Sequence, residues 1–184
     1  MKLRVILTVS FILYFIFPAL SLNSIGILNG YLFANLDYKQ DLKNIPLLVS
    51  FNFNGKSLFS CLKDKLRGDI VFSLEPFINT IYQPDANVEI GTNFLFKYIF
   101  PSKGKIKPYV KGGLGIEYMT QHIREQSTQY NFLPQIGGGI SFFLDKHTSL
   151  DFEYRFRHLS NASFKTPNGG VDANVFLWGF THYF

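Results

Sequence analysis

The chain has 184 residues, of which 47% are hydrophobic and 17% are charged, and it contains 21 phenylalanines and 10 tyrosines. This composition excludes a disordered chain and indicates a single ordered, aromatic-rich β domain. The formal net charge of +5 favours contact with anionic lipid headgroups. Without a basic run or an RNA-binding motif, that charge is too small to indicate a nucleic-acid partner.

The N-terminus has the features of a secretory signal peptide. Lys2 and Arg4 precede an apolar run from Val5 to Phe17, and residues 19–21 match a cleavage site. The run is shorter than the roughly 20 apolar residues that a membrane-spanning helix needs. We therefore expect a signal peptide over 1–21 and one domain over 22–184.

Beyond this segment, apolar and polar residues alternate along stretches of about ten residues, a period typical of β-strands. In 86–100, for example, the even-numbered residues are mainly apolar, whereas the odd-numbered ones include Glu89 and Lys97. The same alternation is found at 106–118, 132–144, 152–160 and 172–184, and less regularly at 25–37, 45–54 and 70–79. These segments predict an all-β fold, an eight-stranded antiparallel transmembrane β-barrel of the bacterial outer membrane.

The connections between these segments predict which end of the barrel faces outward. Short turns at 101–105 and 145–147 are expected on the periplasmic side, and the outer loops are expected at 38–44, 80–86, 120–130 and 161–170. Residues 54–68 are long for a periplasmic turn and are expected to contain a helical piece. The aromatic last strand ending in Phe184 resembles the sorting signal of outer-membrane proteins.

A soluble lipocalin-like barrel is the alternative fold, because it also alternates but turns its apolar face inward. Alternation alone does not define which face is inside. The aromatic-rich apolar sets, and the opposite charges that can pair inside a narrow barrel, favour the membrane protein. The glycine clusters at 111–115 and 136–139 lack the Lys-Ser/Thr ending of a phosphate-binding loop, so we expect them to relieve crowding in the barrel wall.

Two polar residues interrupt the apolar face of the seventh segment. His158 and Ser160 have the same parity as Phe156, so their side chains are expected to point at lipid near the outer end of the strand. Asp172 has the outward parity of the last segment, and a hairpin that closes near residue 165 places it opposite His158. The three side chains are therefore expected to form one cluster.

Histidine, serine and aspartate are the groups that a serine esterase needs. The imidazole takes the proton of the hydroxyl, and the carboxylate orients the imidazole. Asn161, Asn168 and the loop amides are candidate donors to an oxyanion. Polar residues are also common where strands leave a membrane, so the residues alone leave open a non-catalytic structural or adhesive barrel. The remaining histidines have no partners at metal-ligand spacing, and no metal or organic cofactor is expected.

The C-terminal sequence "YRFRHLSNASFKTPNGGVDANVFLWGFTHYF" (154–184) resembles the PagL-type lipid A 3-O-deacylase family, also described as acyloxyacyl hydrolases. The shared features are an arginine-bearing strand, His-x-Ser-Asn-Ala, a Pro-Asn-Gly loop, an acidic residue and a final aromatic strand. The stretches "KPYVKGGLGIEY" (107–118) and "YNFLPQIGGGISFFL" (130–144) also resemble strands of this family. The first half of the chain is similar only in outline.

The resemblance implies an outer-membrane enzyme that hydrolyses the acyl ester at the 3-position of lipid A. By motif position His158 is the general base, Ser160 the nucleophile, Asn161 an oxyanion donor and Asp172 the acid. The family has glutamate at this last position, so the carboxylate of the shorter aspartate is retracted by roughly 1.5 Å. The expected partners are lipid A within lipopolysaccharide, whose phosphates Lys165 could attract, and the surrounding membrane lipid. A homodimer is left open.

Overall fold

The computed structural model describes residues 21–37, 41–55 and 67–184. The expected signal peptide lies outside these residues except at its last position, and most of the expected helical piece falls on 56–66, which are also outside them. Within the described ranges, no helix is long and apolar enough to cross a membrane. The strands of this part of the chain are β1 (Leu22–Ala34), β2 (Leu42–Asn54), β3 (Asp69–Gln83), β4 (Asn87–Ile99), β5 (Ile106–Met119), β6 (Tyr130–Phe143), β7 (Thr148–Leu159) and β8 (Val171–Tyr183).

The eight strands form one closed barrel in which each strand pairs with its neighbours in the sequence. All neighbouring pairs are antiparallel, and β8 closes the barrel by pairing with β1, for example at Ile27 and Phe180. Closure leaves no exposed strand edge, which a bilayer would not tolerate. The prediction of an eight-stranded antiparallel barrel is therefore confirmed.

The loops at the two ends of the barrel differ in length. Residues 100–105 and 144–147 make short connections, whereas 120–129 and 160–170 are longer, as expected for the periplasmic and outer ends. Two predicted loop boundaries were wrong. The loop expected at 38–44 ends earlier, because β2 begins at Leu42, and the loop expected at 80–86 shrinks to 84–86, because β3 continues to Gln83. The alternation of β3 also continues there, since Ile81 is fully buried and Tyr82 is exposed.

The burial pattern places the apolar face outside and the charged face inside. Outward aromatic and aliphatic side chains on most strands are exposed, including Ile90, Phe152 and Trp178. By contrast, Glu75 and Glu89 are fully buried. A soluble barrel has the reverse arrangement, so the lipocalin-like alternative is wrong.

The buried charges form ion pairs that fill the lumen. Glu75 accepts hydrogen bonds from Lys111 at 2.6 Å and from Arg155 at 2.7 Å. Arg155 also pairs with Glu153, and Arg157 pairs with Glu89 at 3.1 Å. Three of these residues belong to β7, so the network fixes this strand to β3, β4 and β5 across the lumen. The outward face of β7 is thereby held on a rigid wall.

Candidate active site

The hairpin of β7 and β8 brings two members of the predicted cluster, His158 and Asp172, together at the outer end of the barrel. In its register, His158 is the direct partner of Asp172, as the hairpin closing near residue 165 predicted. Both side chains are on the outward face, and they are 41% and 63% exposed. The parity prediction is therefore confirmed for this pair.

The imidazole and the carboxylate are in direct contact. Nδ1 of His158 and Oδ1 of Asp172 are 2.6 Å apart, a short distance typical of a hydrogen bond to an ionised acceptor. The aspartate reaches the imidazole despite its missing methylene because the two residues are direct cross-strand partners. With Nδ1 committed to the carboxylate, Nε2 is the nitrogen left to exchange a proton with a substrate or a nucleophile.

Ser160 lies just beyond the end of β7 and is anchored to β6. Its backbone N–H donates to the carbonyl oxygen of Phe132 at 3.0 Å, and its own carbonyl oxygen accepts from the Phe132 N–H at 2.7 Å. This bridge continues the alternation of β7 by one residue. Ser160 therefore leaves the wall on the same side as His158.

The hydroxyl of Ser160 is hydrogen-bonded to the outer loop rather than to His158. It accepts from Nδ2 of Asn168 at 3.2 Å and from the backbone N–H of Ala162 at 3.2 Å. The backbone N–H of Asn161 donates to Oδ1 of Asn168 at 2.9 Å, which assigns the amide orientation of Asn168. Two N–H donors thus converge on the Ser160 oxygen.

A left-handed turn aims one of these donors. Ala162 and Ser163 have φ values of 52° and 61°, a region that non-glycine residues rarely occupy and that costs free energy. This turn follows Ser160 directly and brings the Ala162 N–H back to the hydroxyl. Among the amides of this loop, that of Ala162 therefore points at the Ser160 oxygen.

The side chain of Asn161 does not join the cluster. It is 1% exposed, and its Nδ2 donates to Oγ of Ser127 at 3.2 Å and to the carbonyl oxygen of Lys165 at 3.0 Å. The cause is parity, because an odd-numbered residue here turns to the inner side of the wall. Of the two asparagines considered as oxyanion donors, only Asn168 has its side chain at the serine.

Gly170 is a part of the site to which the sequence assigned no role. Its φ is +74°, and a Cβ atom built on it would lie 2.5 Å from Cε1 and 3.0 Å from Nε2 of His158. Real Cβ atoms do not approach other atoms so closely. A glycine here therefore provides the space that the imidazole occupies, and the loop glycines of the motif were the only sequence signal for it.

For the ester hydrolysis that the sequence predicts, we expect Gly170→Ala to lower turnover by about a hundredfold, because displacing a catalytic imidazole by an ångström has an effect of that order. The matched control is Gly169→Ala, since a Cβ there meets no atom closer than 3.7 Å. Both variants are to be assayed as folded barrels, checked by circular dichroism in detergent. Equal turnover of the two variants would show that the imidazole does not depend on Gly170.

The site has the groups for acyl transfer and opens directly to the membrane. The imidazole of His158, which Asp172 orients, and the hydroxyl of Ser160 lie on the outward face, at the level where the strands end. Two N–H donors of the outer loop point at that hydroxyl. Among the described residues, no three His, Cys, Asp or Glu side chains could hold a metal ion together. The ion pairs behind β7 occupy the inner side of the wall, whereas His158 and Asp172 lie on its outer side.

Fold and site together define a bacterial outer-membrane β-barrel with a histidine–aspartate pair beside a serine on its lipid-facing surface. The model of the family described as "Lipid A 3-O-deacylase (PagL)" matches residues 50–181. The match covers well over half of the chain, and the protein therefore belongs to the PagL family. This finding supports a hydrolase that acts in the outer membrane. No curated protein matches the chain.

Solved structures with the same fold include one enzyme and other surface proteins. The structure titled as the outer membrane enzyme PagL has 17% identity and a TM-score of 0.62, with coverage of 85% of this chain and 97% of that one. Neisserial surface protein A has 14% identity and a TM-score of 0.68, with coverage of 90% and 99%. Ail of Yersinia pestis has 14% identity and a TM-score of 0.52, with coverage of 89% and 100%. At these identities the likeness shows the fold alone.

Proposed function

We propose that the protein is a serine esterase of the outer membrane that hydrolyses the 3-O-linked acyl chain of lipid A. The observation that carries the proposal is the 2.6 Å contact between His158 and Asp172 on the lipid-facing side, two residues from Ser160, in a chain of the PagL family. A nucleophile that faces lipid has a use when the substrate is itself a membrane lipid.

In the first half of the reaction, Oγ of Ser160 attacks the carbonyl carbon of the ester and its proton passes to Nε2 of His158. Asp172 stabilises the imidazolium that forms. The resulting oxyanion takes the hydrogen bonds of Ala162 N–H and Asn168 Nδ2, which in the resting site point at Oγ. The intermediate then collapses, and His158 returns the proton to the departing 3-hydroxyl of the sugar.

In the second half, a water molecule attacks the acyl-serine ester. His158 accepts a proton from this water, the same donors hold the second oxyanion, and Ser160 leaves with the proton that His158 returns. The products are a free fatty acid and an intact serine. No redox step and no co-reactant other than water is involved.

One rotation of a side chain precedes the chemistry. The Ser160 hydroxyl is bonded to Asn168 and Ala162 in this structure, so it has to turn about χ1 to donate to His158. Staggered rotamers of serine are close in energy, and catalytic hydrogen bonds often form fully only with substrate bound. Asn161 keeps its place in the scheme as a positioning residue, because it holds the loop that carries Ala162.

A non-catalytic barrel is the second candidate function. The observation that favours it is the engagement of the Ser160 hydroxyl with Asn168 instead of His158. On this alternative, the outward polar residues form an interfacial hydrogen-bonded patch and nothing more. The two candidates differ in a single measurable result, the release of fatty acid.

The test is incubation of the purified full-length protein in detergent with lipid A, followed by mass spectrometry. The esterase is expected to release one 3-hydroxy fatty acid and to leave lipid A lighter by that chain. Chemical analysis of the remaining ester positions checks that the 3-position was cleaved. An unchanged lipid A spectrum with a folded protein would refute the esterase and favour the non-catalytic barrel.

A further inference from the structure

A polar cavity lies beside the candidate active site at the outer end of the barrel. Its volume is about 290 Å³, and it is lined by residues between 121 and 130 and by Lys165. It therefore lies between the two long outer loops. The catalytic scheme makes no use of it.

The cavity is tied to the nucleophile by short connections. Asn161, the neighbour of Ser160, donates to Ser127 and to Lys165, and both of these line the cavity. On the outward face, Tyr130 lines the cavity two residues before Phe132, the bridge partner of Ser160. From strand spacing and rise, the Cα atoms of Tyr130 and Ser160 are about 8 Å apart, so the cavity and the nucleophile are neighbours on the wall.

The groups around the cavity fit a charged, hydroxylated ligand. Lys165 is exposed and makes no ion pair with any described residue. Gln126 is 7% exposed, and its Oε1 is buried with no hydrogen-bond partner among the described residues. A buried acceptor of this kind is costly unless a donor reaches it. Tyr130, which is 73% exposed, adds an aromatic face at the rim.

We propose that this cavity binds the phosphorylated glucosamine head of the lipid whose ester Ser160 cleaves. Lys165 binds the phosphate, and Oε1 of Gln126 accepts a hydrogen bond from a sugar hydroxyl or amide. The inference rests on the proposed function and adds to it that the headgroup is recognised by the two outer loops. The protein then discriminates between lipid A and other acyl esters through this cavity, which Asn161 holds next to Ser160 by its hydrogen bonds to Ser127 and Lys165.

The first experiment separates phosphate recognition from catalysis. Lys165→Ala is expected to raise KM for phosphorylated lipid A about tenfold, because it removes a charge-assisted contact. Its kcat is expected to stay within about twofold of the wild-type value. Activity on dephosphorylated lipid A with the same acyl chains is expected to stay unchanged, and Lys165→Arg is expected to restore KM. Lys105→Ala, which removes one cation from the periplasmic turn 100–105, is the matched control.

The second experiment tests the buried acceptor. Gln126→Met keeps the side-chain length and removes Oε1, so it is expected to raise KM for phosphorylated and dephosphorylated lipid A alike. Hydrolysis of a 3-hydroxyacyl ester of a simple alcohol, which has no sugar, is expected to be unaffected. A loss on all three substrates would show a structural role for Gln126 instead.

The outcomes distinguish the cavity from the proposed function. An unchanged KM in Lys165→Ala, or an equal loss on phosphorylated and dephosphorylated lipid A, overturns the phosphate site. If the wild type cleaves none of these esters, the proposed function fails. The headgroup site is then tested by measuring the affinity of the protein for phosphorylated lipid A. Affinity that falls in Lys165→Ala but not in Lys105→Ala supports the site, and equal affinity of the two variants overturns it.

Discussion

Replacing Ser160 with alanine is expected to lower lipid A deacylation by at least about 10³-fold, the scale of losing a serine nucleophile. In the proposed mechanism the Ser160 hydroxyl forms the acyl intermediate, whereas the amides of Asn168 and Ala162 act on it only through hydrogen bonds. The barrel is expected to stay folded, since the anchor of Ser160 to Phe132 is made by backbone atoms. Fatty acid release, measured by mass spectrometry, checks this result.

Ser163→Ala is the matched control for Ser160→Ala. Ser163 is an exposed hydroxyl in the same loop, and Asn168 Nδ2 lies 3.4 Å from its Oγ. The control is expected to keep most of the activity and to react covalently with a serine-directed alkylphosphonate, whereas Ser160→Ala is expected not to react. Full deacylation by Ser160→Ala would contradict the assignment of the nucleophile.

The side of the wall on which each residue lies could be predicted from the sequence because a β-strand has a period of two. Phe152, Tyr154 and Phe156 gave the outward parity of β7, and His158 follows them without a break. The same parity excludes the Asn161 side chain from the site, although its place in the family motif implied an oxyanion role. Just beyond the end of β7, strand parity was therefore the better guide to side-chain position.

Pairing of His158 with Asp172 was predictable because a hairpin register follows from its midpoint. The contacts of the loop between them were not. They depend on positive φ values at Ala162 and Ser163, where no glycine marks the turn, and on Asn168, eight residues after Ser160. The conformation of such a loop depends on hydrogen bonds between residues several positions apart. Residue periodicity does not predict these bonds.

The interior of the barrel explains why the site lies on the outside. Arg155 and Arg157 alternate with Tyr154, Phe156 and His158, so one strand contributes both to the packed ion-pair lumen and to the lipid-facing cluster. The ion pairs of Arg155 and Arg157 fill the part of the lumen that lies behind this cluster. They also hold β7 rigidly, as the proposed esterase requires, because a catalytic pair works best on a fixed scaffold.

Replacing Asp172 with asparagine is expected to lower deacylation by about 10²- to 10⁴-fold, the range seen when the acid of a serine hydrolase triad is neutralised. The asparagine keeps the shape but no longer stabilises the imidazolium, and it can present an N–H to Nδ1 and favour the wrong tautomer. Asp172→Glu restores the residue of the family motif. Because Oδ1 is already 2.6 Å from Nδ1, the longer chain has to bend, and we expect activity within about tenfold of the wild type.

Stability measurements distinguish this effect from a weaker fold. The carboxylate of Asp172 is 63% exposed, and an exposed ion pair contributes little to stability, so the unfolding midpoint of Asp172→Asn in detergent is expected to match that of the wild type. The double variant with His158→Asn is expected to be no less active than the single His158→Asn variant, because the carboxylate acts only through the imidazole. If the loss of activity in the double variant equals the sum of the losses in the two single variants, on a free-energy scale, Asp172 has a separate role. That result would contradict the histidine–aspartate unit.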